Sequence, residues 1–361
     1  MRVFSIARLV VMIGFCGFVL WSMSAGPAQA QSPSSVRPPN AAATTAATPT
    51  DGTVPGQVTG NRSDADLWRG INHGTVGKVT IPDQKSALMI NRYGEDWRLL
   101  RTDNLVLWGG GLLGISLLGV LGFAVVYGKF KLHNPRTGRV IPRFSQAERW
   151  VHWFVACLFI LLGLTGLVIL FGRYLLMPII GAEGLSAIAN ASLQAHNLLG
   201  PIFIVALVFM LVIFLKDNVF QKGDFLWALK GGFFSKHHPP SWKYNLGEKS
   251  WYWLLAFAGS GLALSGVFLI FPTLLDDVQG MQLSQIAHAV AAVVLIAASI
   301  GHIYLGIWGV EGALDSMTLG YVDETWGLEH HRWWAEQEIK KEHVVEGAPD
   351  AVLAAKKAES A

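Results

Sequence analysis

SQIAHAVAAVVLIAASIGHIYLGIWGV, residues 284–310, is the stretch that decides what kind of protein this chain is. It is apolar and long enough to span a bilayer, and no other ionisable residue separates His288 from His302. On a helix with a 100° step, their spacing of 14 residues falls within about 40° of four full turns, so both imidazoles face the same way. At roughly 1.5 Å per residue they lie about 21 Å apart along the axis, one near each face of a hydrocarbon core about 30 Å thick. An ionisable residue inside a span is costly to bury and functional by default. Two imidazoles in line at two depths point to two stacked metal centres.

Composition agrees with a membrane setting. The 361 residues are 52% hydrophobic and 15% charged, with a mean hydropathy of +0.40; soluble proteins carry about 25% charged residues. The net charge of +3 is small and unevenly placed, which argues for membrane orientation and against nucleic-acid binding. There are two cysteines, Cys16 near the N-terminus and Cys157 in an apolar segment. That count excludes a disulfide framework, an iron–sulfur cluster and a C-x-x-C-H haem attachment. Any haem is held non-covalently.

Residues 1–30 read as a secretory signal: Arg2 and Arg8, an apolar run from Leu9 to Trp21, and Ala28-Gln29-Ala30 as the cleavage site. Residues 31–103 follow as an exported linker, rich in Pro, Ala, Thr and Ser as far as Pro55, and then a small module. In it Trp68, Val76 to Ile81, Leu88 to Ile90 and Trp97 suggest short strands. Five apolar segments come next, near 105–127, 149–171, 190–215, 250–271 and 284–310, each close to or above the ~20 residues needed to cross. The first is an extra transmembrane helix within residues 104–128, the other four form a bundle within residues 144–310, and residues 311–361 are a tail. The loop after the first segment holds Lys129, Lys131, Arg136, Arg139, Arg143 and Arg149. The loop after the third holds Lys216, Lys222, Lys230, Lys236, Lys243 and Lys249. The opposite loops hold only Arg173. By the positive-inside rule both basic loops and the C-terminal tail are cytoplasmic and residues 31–103 are exported.

Three further facts place the remaining ligands. The second segment opens with Ser145-Gln146-Ala147-Glu148, a capping-box pattern, and His152 lies roughly 10 Å into that helix. His302 is at matching depth, roughly 12 Å from Val310. His196 and His288 match each other at the opposite side, and Pro201 is expected to kink or start the regular part of its helix. Haem iron takes an axial nitrogen on each face of the macrocycle, and facing helices at equal depth supply such a pair. Zinc or copper would want three or four ligands at one level. Gly163, Gly166, Gly200, Gly259, Gly261, Gly266, Gly301 and Gly306 are small enough to let a flat ring or another helix approach. The expected fold is an all-α membrane protein: a four-helix transmembrane bundle with two haem b groups, plus one N-terminal helix. His73, His133, His237, His238, His330, His331 and His343 are expected at the surface.

The four histidines, Lys243-Tyr244-Asn245-Leu246-Gly247-Glu248-Lys249 and the stretch from Glu311 to Asp323 together resemble the cytochrome b (gamma) subunit of membrane-bound formate dehydrogenase. The likeness runs from about Phe144 to Trp334 and leaves the signal, the exported module and the first helix unexplained. It implies His196 and His288 on an outer haem fed by an iron–sulfur (beta) subunit, itself served by a molybdenum- or tungsten-containing catalytic (alpha) subunit. It places His152 and His302 on an inner haem that reduces quinone. Asn245 and Gly247 match the family's quinone pocket, where an amide can hydrogen-bond a carbonyl and a glycine leaves room. The expected location is a bacterial inner membrane, and the chain itself holds no formate site. Two alternatives remain: the cytochrome b subunit of a nickel–iron hydrogenase, which shares the histidine arrangement, and a haem-free anchor or transporter using the histidines as a proton relay. The tryptophans of the tail, Trp326, Trp333 and Trp334, are expected to lie along the membrane surface.

Overall fold

The computed structural model describes residues 72–76, 88–232, 238–275 and 277–347. The expected signal, the linker from Gln31 to Pro55, Trp68 and His237 lie outside them. Among the described residues five helices are long and apolar enough to cross a membrane: α1 (Gly94–Tyr127), α2 (Gln146–Leu175), α3 (Met177–Asn218), α5 (Leu246–Ile270) and α6 (Val278–Gly309). Their outward side chains are large and apolar, as at Leu118, Val125, Leu164, Val212 and Leu283, each more than half exposed. In water such a surface would be untenable; in a bilayer every backbone group is satisfied within its helix and these side chains meet acyl chains. The protein is an all-α membrane bundle.

Both predicted boundaries at the N-terminal side shift. Thr75–Val76 (β1) pairs antiparallel with Leu88–Ile90 (β2), but Trp97 is helical, because α1 begins at Gly94 and runs through a π-helical stretch at Leu100–Asn104. Polar residues there close local bonds, Arg98 to Glu95 at 2.7 Å and Thr102 to the Arg98 carbonyl at 2.8 Å, so the helix starts before its apolar part does. α1 leans on the bundle: Gly109 lets it meet Val293 of α6, and the Tyr304 hydroxyl donates to the Gly128 carbonyl at 2.9 Å. In α3 the break is at Gly181 (φ 75°), and the helix then runs on through Pro201. Only glycine adopts that left-handed conformation cheaply, which is why the turn is there.

Two capping boxes start the second and fourth spans. Ser145 and Glu148 cap α2, and Asn245 and Glu248 cap α5, each pair reciprocally bonded. Inside the bundle Val155, Leu158 and Leu161 of α2 pack on Leu199, Phe203, Ala206 and Leu207 of α3, with Leu255 of α5 and Leu295 of α6. Leu295 is fully buried and lies midway between His288 and His302 in the chain. A dry apolar layer therefore separates the two histidine levels.

The loop before α2 and the C-terminal tail fold together into a cap. Arg139–Pro142 (β3) is the centre of an antiparallel sheet between Tyr321–Asp323 (β4) and Val345–Glu346 (β5). Around it lie α7 (Ala313–Thr318), α8 (Glu324–His330) and α9 (Arg332–Lys340). Ile141, Val322, Trp326, Trp334 and Ala335 form its core. Trp326 and Trp334 are thus interior, not spread on a membrane surface. Nor is His331 a surface residue: it is 2% exposed, its Nδ1 lying 2.8 Å from the Trp242 carbonyl. Its Nε2 meets the buried Arg143 at 3.1 Å, and Arg143 bonds Glu248 at 3.0 Å and the Lys243 carbonyl at 2.9 Å. Arg143 so ties cap to bundle. Beside it α4 (Asp224–Leu229) is held by a buried ion pair, Lys249 to Asp224 at 2.7 Å; removing either partner strands a charge, at about 3–5 kcal/mol.

Burial and the neighbouring His238 and His331 hold His330 down to about 3, and burial with Arg143 holds His331 well below its ordinary value. Both rings are neutral in the folded cap and titrate near 6.5 when it opens. Their stabilisation is therefore complete above about pH 6.5 and is lost as pH falls from there toward the folded values. Hydrogen exchange at residues 321–340, corrected for intrinsic rates, should quicken between about pH 7.5 and about pH 5.5 while α2 and α6 stay protected. Equal protection at both would contradict this account of the cap.

Candidate functional site

The four predicted histidines of the spans meet in two pairs. His196 of α3 faces His288 of α6 with ring centroids 6.0 Å apart and planes inclined at 72°. His152 of α2 faces His302 of α6 at 6.2 Å and 58°. A direct N–H···N bond of about 2.9 Å would set the centroids roughly 5.1 Å apart, allowing about 1.1 Å per ring from centroid to nitrogen. A metal bonded to one nitrogen of each ring at roughly 2.0–2.1 Å sets them about 6.3 Å apart. The observed spacings match the second case. Among the described residues no group of three or more His, Cys, Asp or Glu is arranged to hold a metal, so the pairs stand as pairs, as an axial set for a planar macrocycle requires.

The pair at the end remote from the cap is held by hydroxyls. The Thr165 hydroxyl donates to the carbonyls of Leu161 and Leu162, at 2.9 and 3.0 Å. Its oxygen lies 2.9 Å from His196 Nδ1. With the hydroxyl proton given to a carbonyl, the imidazole is assigned as the donor: Nδ1 carries hydrogen and Nε2 keeps its lone pair. Ser265 repeats this on α5, donating to Gly261 and Leu262 at 2.7 and 3.0 Å. His288 Nδ1 lies 3.2 Å from the Ser265 oxygen and 3.0 Å from the Leu262 carbonyl. Next to each hydroxyl a glycine seats the ring edge. A Cβ at Gly166 would lie 3.4 Å from His196 Cε1, and one at Gly266 would lie 3.2 Å from His288 Cε1.

The pair nearer the cap is built differently. His302 stacks on Trp251 of α5 with centroids 4.9 Å apart and planes within 16°. His152 Nδ1 is buried with no hydrogen-bond partner among the described residues. A Cβ at Gly301 or Gly306 would meet nothing within 4 Å, so neither glycine is required by a close contact. Of the other glycines singled out in the sequence, Gly163 and Gly259 serve packing, against Ile296 and Leu207, and Gly261 faces open space.

Asn245 is the N-cap of α5. Its Oδ1 accepts from the Glu248 amide at 3.0 Å, and its own amide donates to Glu248 at 2.9 Å. It is nearly buried and lies six residues before Trp251, about 9 Å along the axis. Gly247 sits half-buried in the first turn of the same helix. Outside the spans, His73 and His133 are exposed; the rings of His238 and His330 meet at 4.8 Å, tilted by 30°.

Thr165 and Ser265 are functional candidates that the histidine pattern alone does not pick out. The signal lies in an internal repeat: Leu162-Gly163-Leu164-Thr165-Gly166 returns one hundred residues later as Leu262-Ala263-Leu264-Ser265-Gly266, and the capping boxes at Ser145 and Asn245 share that interval. α3 and α6 align at an interval of 92, matching Ser192 with Ser284 and His196 with His288. In these registers His152 corresponds to Tyr252, and His302 to Met210.

The family model described as prokaryotic cytochrome b561 matches residues 143–320. The formate dehydrogenase, cytochrome b556(fdo) subunit, of Escherichia coli (strain K12) is 29% identical over 202 residues, covering 54% of this chain and 92% of that protein. The nitrate-inducible formate dehydrogenase cytochrome b556(Fdn) subunit of the same organism is 31% identical over 218 residues, covering 56% and 96%. A formate dehydrogenase cytochrome b556 subunit of Haemophilus influenzae is 26% identical over 222 residues, covering 58% and 89%. With both histidine pairs and both capping boxes inside the matched stretch, this chain belongs to the formate dehydrogenase cytochrome b556 subunits of the prokaryotic cytochrome b561 family.

Proposed function

We propose that this chain is the membrane-anchoring cytochrome b subunit of a formate dehydrogenase complex, holding two non-covalent haem b groups and carrying electrons from an iron–sulfur subunit to quinone. The observation that carries the reading is the pair of imidazole spacings, 6.0 and 6.2 Å. Haem b between two imidazoles supplies one-electron transfer with no open coordination position. His196 and His288 would hold the outer group, with Nε2 presented because Nδ1–H is engaged; His152 and His302 would hold the inner one. The layer around Leu295 keeps water from the path between them. A proton relay without haem would need water or hydrogen bonds there, and the apolar layer argues against it. The names of the relatives favour formate dehydrogenase over a hydrogenase partner.

Orientation follows from the basic loops: the cap and C-terminus are cytoplasmic, residues 31–103 are exported behind a signal in residues 1–30, and the membrane is the bacterial inner one. Passing an electron inward against a membrane negative inside costs about 2.3 kcal/mol per 100 mV, so the transfer conserves energy. Formate itself is oxidised elsewhere, on a molybdenum or tungsten subunit. Quinone would bind beside the inner pair. Asn245 spends Oδ1 on its cap, which leaves Nδ2–H to donate to a quinone carbonyl, with Gly247 leaving room for the ring.

Replacing His288 with leucine should halve the haem bound per chain in the detergent-purified complex and abolish formate-dependent quinone reduction. Retention of both haems would overturn the assignment. Asn245→Asp separates the two uses of this side chain, because aspartate caps a helix equally well but cannot donate. Haem content should stay the same while the quinone KM rises by roughly 3- to 10-fold, the worth of one hydrogen bond. An unchanged KM would leave Asn245 a cap and nothing more.

A further inference from the structure

We propose that the hydroxyls of Thr165 and Ser265 set the reduction potential of the centre at His196 and His288 below that of the centre at His152 and His302, so that electrons run downhill toward the cap. This rests on the haem reading above and goes further, giving two residues outside the ligand set the task of fixing the direction of flow. Each outer imidazole donates Nδ1–H into a chain that continues through a hydroxyl to backbone carbonyls: His196 to Thr165 at 2.9 Å, then Thr165 to Leu161 at 2.9 Å. On the other face His288 Nδ1 lies 3.0 Å from the Leu262 carbonyl and 3.2 Å from Ser265, which donates to Gly261 at 2.7 Å. Hydrogen bonds in series polarise one another. Drawing on the N–H pushes electron density to Nε2, making the ring a stronger donor that favours the oxidised iron and lowers the potential.

Both histidines of the outer pair carry this device, on equivalent residues of the repeat. The inner centre does not match it. His152 Nδ1 has no hydrogen-bond partner among the described residues, and His302 is held by the face of Trp251. An imidazole with an unengaged N–H is the weaker donor, so its iron accepts an electron more readily. Thr165 and Ser265 are buried, 7% and 5% exposed, which keeps solvent from substituting for them. They act through the imidazoles and are positioning residues, not ligands.

The test is an optical redox titration of the detergent-purified complex, with Thr165→Val and Ser265→Ala made singly and together. The His288→Leu protein, which keeps the inner centre alone, assigns the two b-type components. In the double variant the lower-potential component should rise by a factor of ten or more in its reduction equilibrium constant, 59 mV for a one-electron couple. The other component should not move. Thr165→Ser should keep the wild-type potential. Ser299→Ala, which removes a buried hydroxyl bonded among the described residues to the Ile296 carbonyl at 2.8 Å, should leave both alone. Where the valine variant loses haem, Thr165→Ala decides, since it removes the same hydroxyl from His196 while His288 keeps both of its partners. Both components unmoved with haem retained would overturn the proposal. So would movement of the inner component, or loss of haem from both single variants, since the hydroxyls would then serve retention. A wild-type protein without haem would instead remove the reading beneath it.

Discussion

An imidazole buried among apolar helices has two nitrogens to account for, and that requirement organises the middle of this bundle. Leaving an N–H without an acceptor in hydrocarbon costs several kcal/mol. At His196 and His288 the hydroxyls of Thr165 and Ser265 and the Leu262 carbonyl take up Nδ1–H. Once that nitrogen is fixed the other is fixed too, facing its opposite number across 6.0 Å. Gly166 and Gly266 follow from the same demand, because a side chain there would crowd the ring edge. The hydroxyls and glycines here follow from placing a polar ring among apolar helices.

How much of this could be read in the sequence depends on whether the information is local. The spans are local: long apolar runs bounded by lysines and arginines. The histidine pairs are nearly so, since helical geometry converts sequence position into depth, and depth alone pairs His152 with His302 and His196 with His288. Where helices begin is less legible. Gly94 starts α1 well ahead of its apolar part because polar residues bond among themselves, and α3 turns at Gly181 while Pro201 passes inside it. The cap was illegible. Its sheet joins Val140 to Asp323 and Ile141 to Val322, residues just over half the chain apart, and no local pattern announces such a pairing. That is why His331 and Trp326, polar or interfacial by type, turn out to be core.

The cap also gives Arg143 a role that charge counting misses. Counted as one of many basic loop residues, it reads as an orientation signal. In the fold it is buried, stacked over Phe144, Tyr244 and Trp326, and bonded to Glu248 and His331. Glu248 in turn caps the helix bearing Trp251. The same side chain that biases topology also locks the tail onto the helix that supports His302.

Two hairpins alike in sequence would be expected to carry one set of sockets each. At the outer level they do: each hairpin contributes a hydroxyl, a glycine and a histidine. At the inner level the likeness breaks, with Tyr252 standing against His152 and Met210 against His302. Tyr252 spends its hydroxyl on the Leu211 carbonyl at 2.7 Å, closing what would have been a mirror-image socket. The pair remote from the cap is thus seated near-symmetrically by the two hairpins, and the pair nearer the cap by α2 and α6 alone. The bundle is therefore twofold in its seating at one level and lopsided at the other.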